Sequence, residues 1–357
     1  MLWSLELIFY SFSSVFRNIC KFSSALPVVS VCVSLGISGC SLFGEKDTAQ
    51  SDQQVKLSNF KKCKLSYFSN LEGYKSYYKE MHLNTKYDFD KQDELDYLNY
   101  LKYINNQKVI EDCLPAALDN NAEAQFYLAD AYHYHSMYIN HFLNNDSIKS
   151  YKENYKEIAD NADSEYKKWL KLSADLGFAK AQGELAGIYR LDGLIDYNNG
   201  EYNKAVSEYN NALIYATKAS SQNDVKGTYL LAWMYYHGEG VEQNKEKAYA
   251  LLKKNYELGD AFSTWEFGMI RLKESVIEKN NNYYLEGISL LEKAAYSNAD
   301  PETKPYYKSR LASLYRSGAP DLGIKKDIHK ALYYYDLACK QGLGDACNLF
   351  ERVLKEK

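Results

Sequence analysis

Between Asn223 and Asp260 the apolar positions recur with a helical period. Gly227, Leu230, Leu231, Met234 and Tyr235 fall at spacings of three and four, which places them on one face of a helix. Gly238 and Gly240 then interrupt the pattern, because glycine takes the positive φ of a tight reversal without steric cost. Asn244 stands where a side chain caps a second helix, whose apolar stripe is Ala248, Leu251, Leu252 and Tyr256; Gly259 ends it. The stretch predicts two antiparallel helices of roughly ten to fifteen residues joined by a short turn. One hairpin of this kind cannot cover its own apolar face, so it needs neighbours on both sides.

The pattern recurs. The frame is a glycine, a small residue four on, Leu eight on, a small residue nine on and Tyr twelve on. Gly177, Ala181, Leu185, Ala186 and Tyr189 fit it, and with Asn in the first place so do Asn120, Ala124, Leu128, Ala129 and Tyr132. Asn223, Gly227, Leu231, Ala232 and Tyr235 fit as well, while Leu311, Ala312 and Tyr315 keep the second half. Lys247-Ala248 and Lys330-Ala331 stand at equal distances before Gly259 and Gly342. Frames near 120, 177, 223, 259, 303 and 342 lie roughly 36 to 57 residues apart, the range of helical repeat arrays once loop insertions are allowed. The expected fold is all-α, an α/α solenoid of stacked antiparallel helix pairs.

Tyr235-x-x-Gly238-x-Gly240-Val241-x-x-Asn244-x-x-Lys247-Ala248 resembles the signature of Sel-one-like repeats, relatives of tetratricopeptide repeats. Gly323-Ile324-x-x-Asp327-x-x-Lys330-Ala331 gives it again, with Asp in the capping place. The fourth repeat departs: Phe267-Gly268 replace Leu-Ala and Arg271 replaces Tyr. The second repeat carries an insertion around Asp196 to Tyr202, and the first a longer one around 138–160. The resemblance covers about 120–357, which is read as the repeat solenoid; 61–119, rich in aromatic residues and off the frame, is read as an irregular helical N-cap region.

The first forty residues have a different character. Arg17 and Lys21 precede an uncharged segment, Phe22 to Gly39, that ends Ile37-Ser38-Gly39-Cys40. A basic flank, an apolar stretch and small residues before a cleavage point describe a secretory signal peptide over 1–39. The ending looks like a bacterial lipobox, which implies lipidation of Cys40 and a membrane anchor. As a spanning helix the segment is poor, since it only reaches the minimum of ~18–20 residues and holds a Pro and several Ser. Ser41, rather than Asp, follows Cys40, which points to the outer membrane of the cell envelope, periplasmic or surface facing. Residues 40–60 are polar without periodicity and read as a lipidated flexible tether.

A hydrophobic content of 46% with 25% charged residues is ordinary for a globular chain. The net charge of −4, with no basic cluster, excludes the counterion exchange that nucleic-acid binding requires. Of seven cysteines, Cys20 and Cys32 leave with the signal and Cys40 takes the lipid, so Cys63, Cys113, Cys339 and Cys347 remain. An even number in an exported chain favours disulfides. The C-x7-C of Cys339 and Cys347 resembles the cysteine-rich branch of the family, which implies a bridge there. A Cys63–Cys113 bridge follows only by elimination, the alternative being two buried thiols.

Catalytic constellations are thin. Ser164-x-x-Lys167 matches S-x-x-K, which matters because relatives in the cysteine-rich branch are associated with β-lactams, but S-D-N and K-T-G are missing. His133, His135 and His141 cluster, yet residues two apart point about 200° from each other on a helix, and no metal or cofactor is expected. The expected activity is therefore binding. In tetratricopeptide-type hairpins the first helix lines the concave face through places 3, 6, 10 and 13 of the frame. The third repeat offers Lys226, Tyr229, Trp233 and Tyr236 there; the fourth offers Phe262, Trp265, Met269 and Leu272; the second contributes Arg190. Tyr229, Trp233, Tyr236, Phe262, Trp265, Met269 and Arg190 form the expected partner-binding patch, since Trp, Tyr and Arg dominate interface energetics.

Three functions fit. The first is a non-enzymatic protein–protein interaction scaffold on a lipid anchor; relatives that resemble immunity proteins imply a secreted phospholipase-type effector as its partner. The second is a module that reads cell-wall glycan or stem peptide, and the third a β-lactamase-like enzyme.

Overall fold

At Asn120, Gly177, Asn223, Gly259 and Gly342 the backbone takes φ of 59°, 95°, 62°, 82° and 92°. Each frame residue therefore ends one helix in the left-handed region before the next begins, which is why glycine or asparagine stands there. The computed structural model describes residues 45–83, 106–143, 152–297 and 304–355. The leader, Cys40 and the frame position at 303 lie outside them.

The chain divides into two units, Met1–Leu57 and Ser58–Lys357. Helix α1 (Glu45–Leu83) begins in the first. There residues 52–57 are exposed, and Lys56 pairs with Asp52 at 3.5 Å. Residues 45–60, read from sequence as part of a flexible tether, are helical instead. The stretch holds neither Gly nor Pro and carries three Gln and two Lys, whose side chains lose little freedom in a helix.

In the second unit α1 continues, and Phe60, Cys63 and Tyr67 turn toward α2 (Asn106–Leu118) and its buried Val109 and Cys113. Five helix pairs follow: α3 (Ala122–Leu143) with α4 (Lys152–Asp175), α5 (Ala179–Asn198) with α6 (Tyr202–Ser221), α7 (Val225–His237) with α8 (Lys245–Glu257), α9 (Ala261–Ile277) with α10 (Asn281–Tyr296), and α11 (Lys304–Ser317) with α12 (Ile328–Lys340). Helix α13 (Gly344–Lys355) packs on α12. No strand occurs among the described residues, where one isolated bridge joins Ala319 to Ile324. The fold is an all-α repeat solenoid. Helices α8, α9 and α12 start on side-chain caps: Asn244 accepts from the Lys247 N–H at 2.9 Å, Asp260 from Ser263 at 2.7 Å and Asp327 from Lys330 at 3.0 Å. The insertion of the second repeat lengthens both arms, so that α5 and α6 run 20 residues each against 13 for α7 and α8.

Small residues recur at places 4 and 9 because helices nearly touch there. A Cβ on Gly227 would stand 2.3 Å from the Ala219 Cβ of α6. One on Gly268 would stand 2.8 Å from Leu291 Cδ2 and 3.0 Å from the Gly287 oxygen of α10. This crossing explains Gly268 where other repeats have Ala: α9 and α10 meet backbone to backbone.

Two disulfides staple the ends, Cys63–Cys113 across α1 and α2 and Cys339–Cys347 across α12 and α13. Between them the apolar interior falls into two large clusters, one reaching from Cys63 to Leu231 and one from Ala261 to Val353, with Ala232, Leu252, Phe267 and Leu290 between. Glu274 of α9 seals this seam, its side chain 3% exposed. It accepts from Lys245 Nζ at 2.9 Å, from Tyr236 Oη at 3.3 Å and from the Tyr249 hydroxyl, and pairs with Arg271 at 3.3 Å. Burial pushes the Glu274 carboxyl up, but the Tyr249 and Lys245 hydrogen bonds and the Lys245 and Arg271 charges outweigh it and hold it below its ordinary 4.5.

Gly227→Ala is expected to destabilise the chain by about 1–3 kcal/mol in urea denaturation despite alanine's higher helix propensity, with partial rescue by Ala219→Gly. Glu274→Gln is expected to cost on the order of 2 kcal/mol at pH 7. The group's folded value is depressed, so its contribution is present above 4.5 and lost as pH falls through the folded value. The stability gap between wild type and Glu274→Gln therefore closes on acidification below about 4.5, measured by denaturation at each pH.

Candidate partner-binding face

The buried arc of α7 decides what it shows. Gly227, Leu230, Leu231 and Met234 pack inward, leaving Tyr229, Trp233 and Tyr236 half-buried on its other side. Phe262, near the start of α9, is 45% exposed and meets Tyr229 edge to face, centroids 4.8 Å apart. Tyr229 lies 6.1 Å from Trp233, and Trp233 lies 4.3 Å from His237. Phe262, Tyr229, Trp233 and His237 thus make one run of rings from α9 onto α7.

Arg190 of α5 and Glu239 fix this run from the side. Arg190 Nε donates to Glu239 Oε2 at 2.5 Å and Nη2 to Oε1 at 2.9 Å, a two-pronged pair that is about four-fifths buried. The Trp233 indole N–H donates to the same Oε1 at 3.3 Å, and the Arg190 guanidinium stands 5.2 Å from the Trp233 ring centre. Burial lowers the His237 pKa; Glu239 opposes the shift and Arg190 adds to it, so the ring is neutral at pH 7. Burial likewise raises that of Tyr229, which stays protonated. The face presents uncharged rings beside the Arg190–Glu239 ion pair and near Glu266. Glu239 and His237 were not legible as site residues: a Glu between Gly238 and Gly240 reads as turn, and a His ending a helix reads as solvent-facing.

Four residues expected on this face are placed otherwise. Trp265 is 1% exposed, its ring 5.4 Å from Tyr307 of α11, with Arg310 at 4.8 Å over it. Met269 is partly buried against the same cluster. The cause is the wider buried arc of α9, which packs Phe267 toward Leu252 and Tyr249 on one side and Trp265, Gly268 and Leu272 on the other. Place 6, half-exposed at Tyr229 on α7, is therefore covered at Trp265 on α9. Tyr236 belongs to the Glu274 seam, and the fork of Arg190 is spent on Glu239 rather than open to a partner.

Elsewhere, Ser164 is exposed on α4 while Lys167 pairs with Asp163 at 2.9 Å. The His133 ring packs 4.5 Å from Tyr166, and burial lowers the pKa of both His133 and His135. The His141 side chain lies outside the described ones.

The Sel1 repeat family model matches residues 122–136, 179–224, 225–260 and 306–343. No curated protein matches the chain. Three crystal structures are similar to it. One is a putative sel1 repeat protein from Klebsiella pneumoniae subsp. pneumoniae, with 16% identity over 68% of this chain and 98% of that one, at a TM-score of 0.39. Another is the Sel1 repeat protein from Oxalobacter formigenes, with 18% identity over 69% and 83%, at 0.39. The third is c5321, described as a protective antigen present in uropathogenic Escherichia coli strains displaying an SLR fold, with 20% identity over 70% of this chain and 52% of that one, at 0.29. The matched segments fall on α3, on the pairs α5–α6 and α7–α8, and on α11–α12, and leave out α9–α10, where the Leu-Ala and Tyr of the frame are replaced. On the family-model matches to these segments, the helix pairs they cover are Sel1 repeats.

Proposed function

We propose that the chain is a non-catalytic scaffold, held at the envelope by a lipid on Cys40, that binds a protein partner on the face of Tyr229, Trp233 and Phe262. The observation that carries this reading is the fixed run of rings. Trp233 is braced by Glu239 and Arg190, and Phe262 packs edge-on to Tyr229, so little side-chain freedom is left to lose on binding. Such rings desolvate large areas with few rotors, the character of interface hot spots. The Glu239 carboxylate beside them is engaged by Arg190.

The anchor rests on Ile37-Ser38-Gly39-Cys40. Among the described helices none is long and apolar enough to cross a membrane. The resemblance to lipid-anchored immunity proteins makes a secreted phospholipase-type effector the first partner to test.

Trp233→Ala and Phe262→Ala are each expected to weaken partner binding by at least about 30-fold in a titration with the effector, leaving helicity by circular dichroism intact. Trp265→Ala is expected instead to lower thermal stability by about 3–5 kcal/mol. Retained partner affinity in both face variants, or retention of the chain by isolated cell-wall sacculi through the same residues, would transfer the face to another ligand. Mass spectrometry of the mature protein is expected to find Cys40 at the N-terminus carrying a diacylglyceryl group.

A further inference from the structure

A second feature stands apart from that face. Helices α3, α4 and α5 enclose a cavity of about 170 Å³, below the roughly 300 Å³ of small-molecule sites yet far larger than one water needs. Its walls are the rings of Phe126, His133, Tyr134 and Tyr166, with Leu170 beneath, and its charges are Asp130 and Glu184. Glu184 is engaged at the edge by Lys226. Among the described residues Asp130 accepts one hydrogen bond, from Tyr67 Oη to Oδ2 at 2.7 Å, and no cation pairs with it. Burial lifts its carboxyl to about 6 despite the Tyr67 bond; Glu184 adds to the rise, and Lys180 and Lys226 offset part of it from farther away. A carboxylate in that setting gains more than a solvated one from a cation brought against it.

The chain itself shows what such a setting holds. Arg190 lies over the Trp233 ring while its fork grips Glu239. Arg271 lies 4.1 Å from the Tyr249 ring centre and 4.7 Å from that of Tyr283, paired with Glu274 and Glu286. In both places rings flank a buried or half-buried carboxylate, and a planar guanidinium fills the space between. Around Asp130 the rings and carboxylate are present in the same combination, and the space between them is open. We propose that this cavity takes an arginine side chain of a partner protein, its guanidinium on Asp130 and stacked among the Phe126, Tyr166 and His133 rings. An ammonium satisfies the charge but not the stacking, and a neutral urea group satisfies the shape but not the charge.

This deepens the scaffold reading by adding an anchor in the first two repeats, and its test needs no partner. N-acetyl-arginine amide, titrated into the full chain and followed by saturation-transfer NMR, is expected to bind with a dissociation constant on the order of 1 mM. N-acetyl-citrulline amide, of the same shape without the charge, is expected to bind at least about tenfold more weakly, as is the arginine probe to Asp130→Asn. N-acetyl-lysine amide is expected to fall between the two. Equal binding of the citrulline and arginine probes to the wild type would overturn the proposal, and this comparison stands even if Asp130→Asn fails to fold. Tighter binding of free arginine than of the blocked amide would overturn the assignment to a protein side chain. Failure of the ring-face reading alone would show as retained partner binding in Trp233→Ala and Phe262→Ala with the arginine probe still bound.

Discussion

Every helix pair in this chain depends on surface lent by its neighbour. A hairpin of two 13-residue helices such as α7 and α8 has an apolar stripe too wide to close on itself, so Leu230 and Leu231 are covered from α5 and α6, and Leu252 together with Phe267 of α9. That demand sets the spacing of small residues. Where Gly227 meets Ala219, and Gly268 meets Gly287, there is no room for a further methyl group, and the crossing fixes the register of all side chains beyond it. The first and the last described helix pairs each carry a disulfide.

The same dependence makes the surface. Because α7 buries one arc and α9 a wider one, only part of the aromatic content of the third and fourth repeats reaches solvent. Tyr229, Trp233 and Phe262 are left there, steadied by Arg190 and Glu239 from the repeat before and the turn after. Charges close to this region are largely spent on structure: Arg190 on Glu239, and Lys245 and Arg271 on Glu274. A partner therefore meets rings already in place, and the electrostatic cost of holding them was met on folding.

Asp130 is the exception. Its carboxylate sits among rings as those of Glu239 and Glu274 do, yet among the described residues its hydrogen bond comes from a neutral phenol. The two regions offer a partner different chemistry, apolar area on α7 and α9 and a charged slot between α3 and α5.

The fold was legible in the sequence because its determinants are local. Positive φ at the frame residues, Asn and Asp caps such as Asn244 and Asp327, and apolar spacings of three and four act within a few residues of chain, so they mark the helix pairs directly. The tether was misread for the converse reason: absence of an apolar period says nothing against an exposed helix, and Glu45 onward forms one. What local pattern could not decide was which side of each helix stays open. Trp233 and Trp265 occupy similar outward-reading places, yet one is half-exposed and the other lies under Tyr307, because α9 has a second neighbour, α11, on that side. The pairing of Arg190 with Glu239, 49 positions apart, and the open cavity that joins Asp130 to Glu184, 54 positions apart, likewise depend on the stacking of repeats. Sequence determined the helices and their order, since those follow from neighbours along the chain; tertiary structure decided the binding surface, since exposure is set by whatever packs across it.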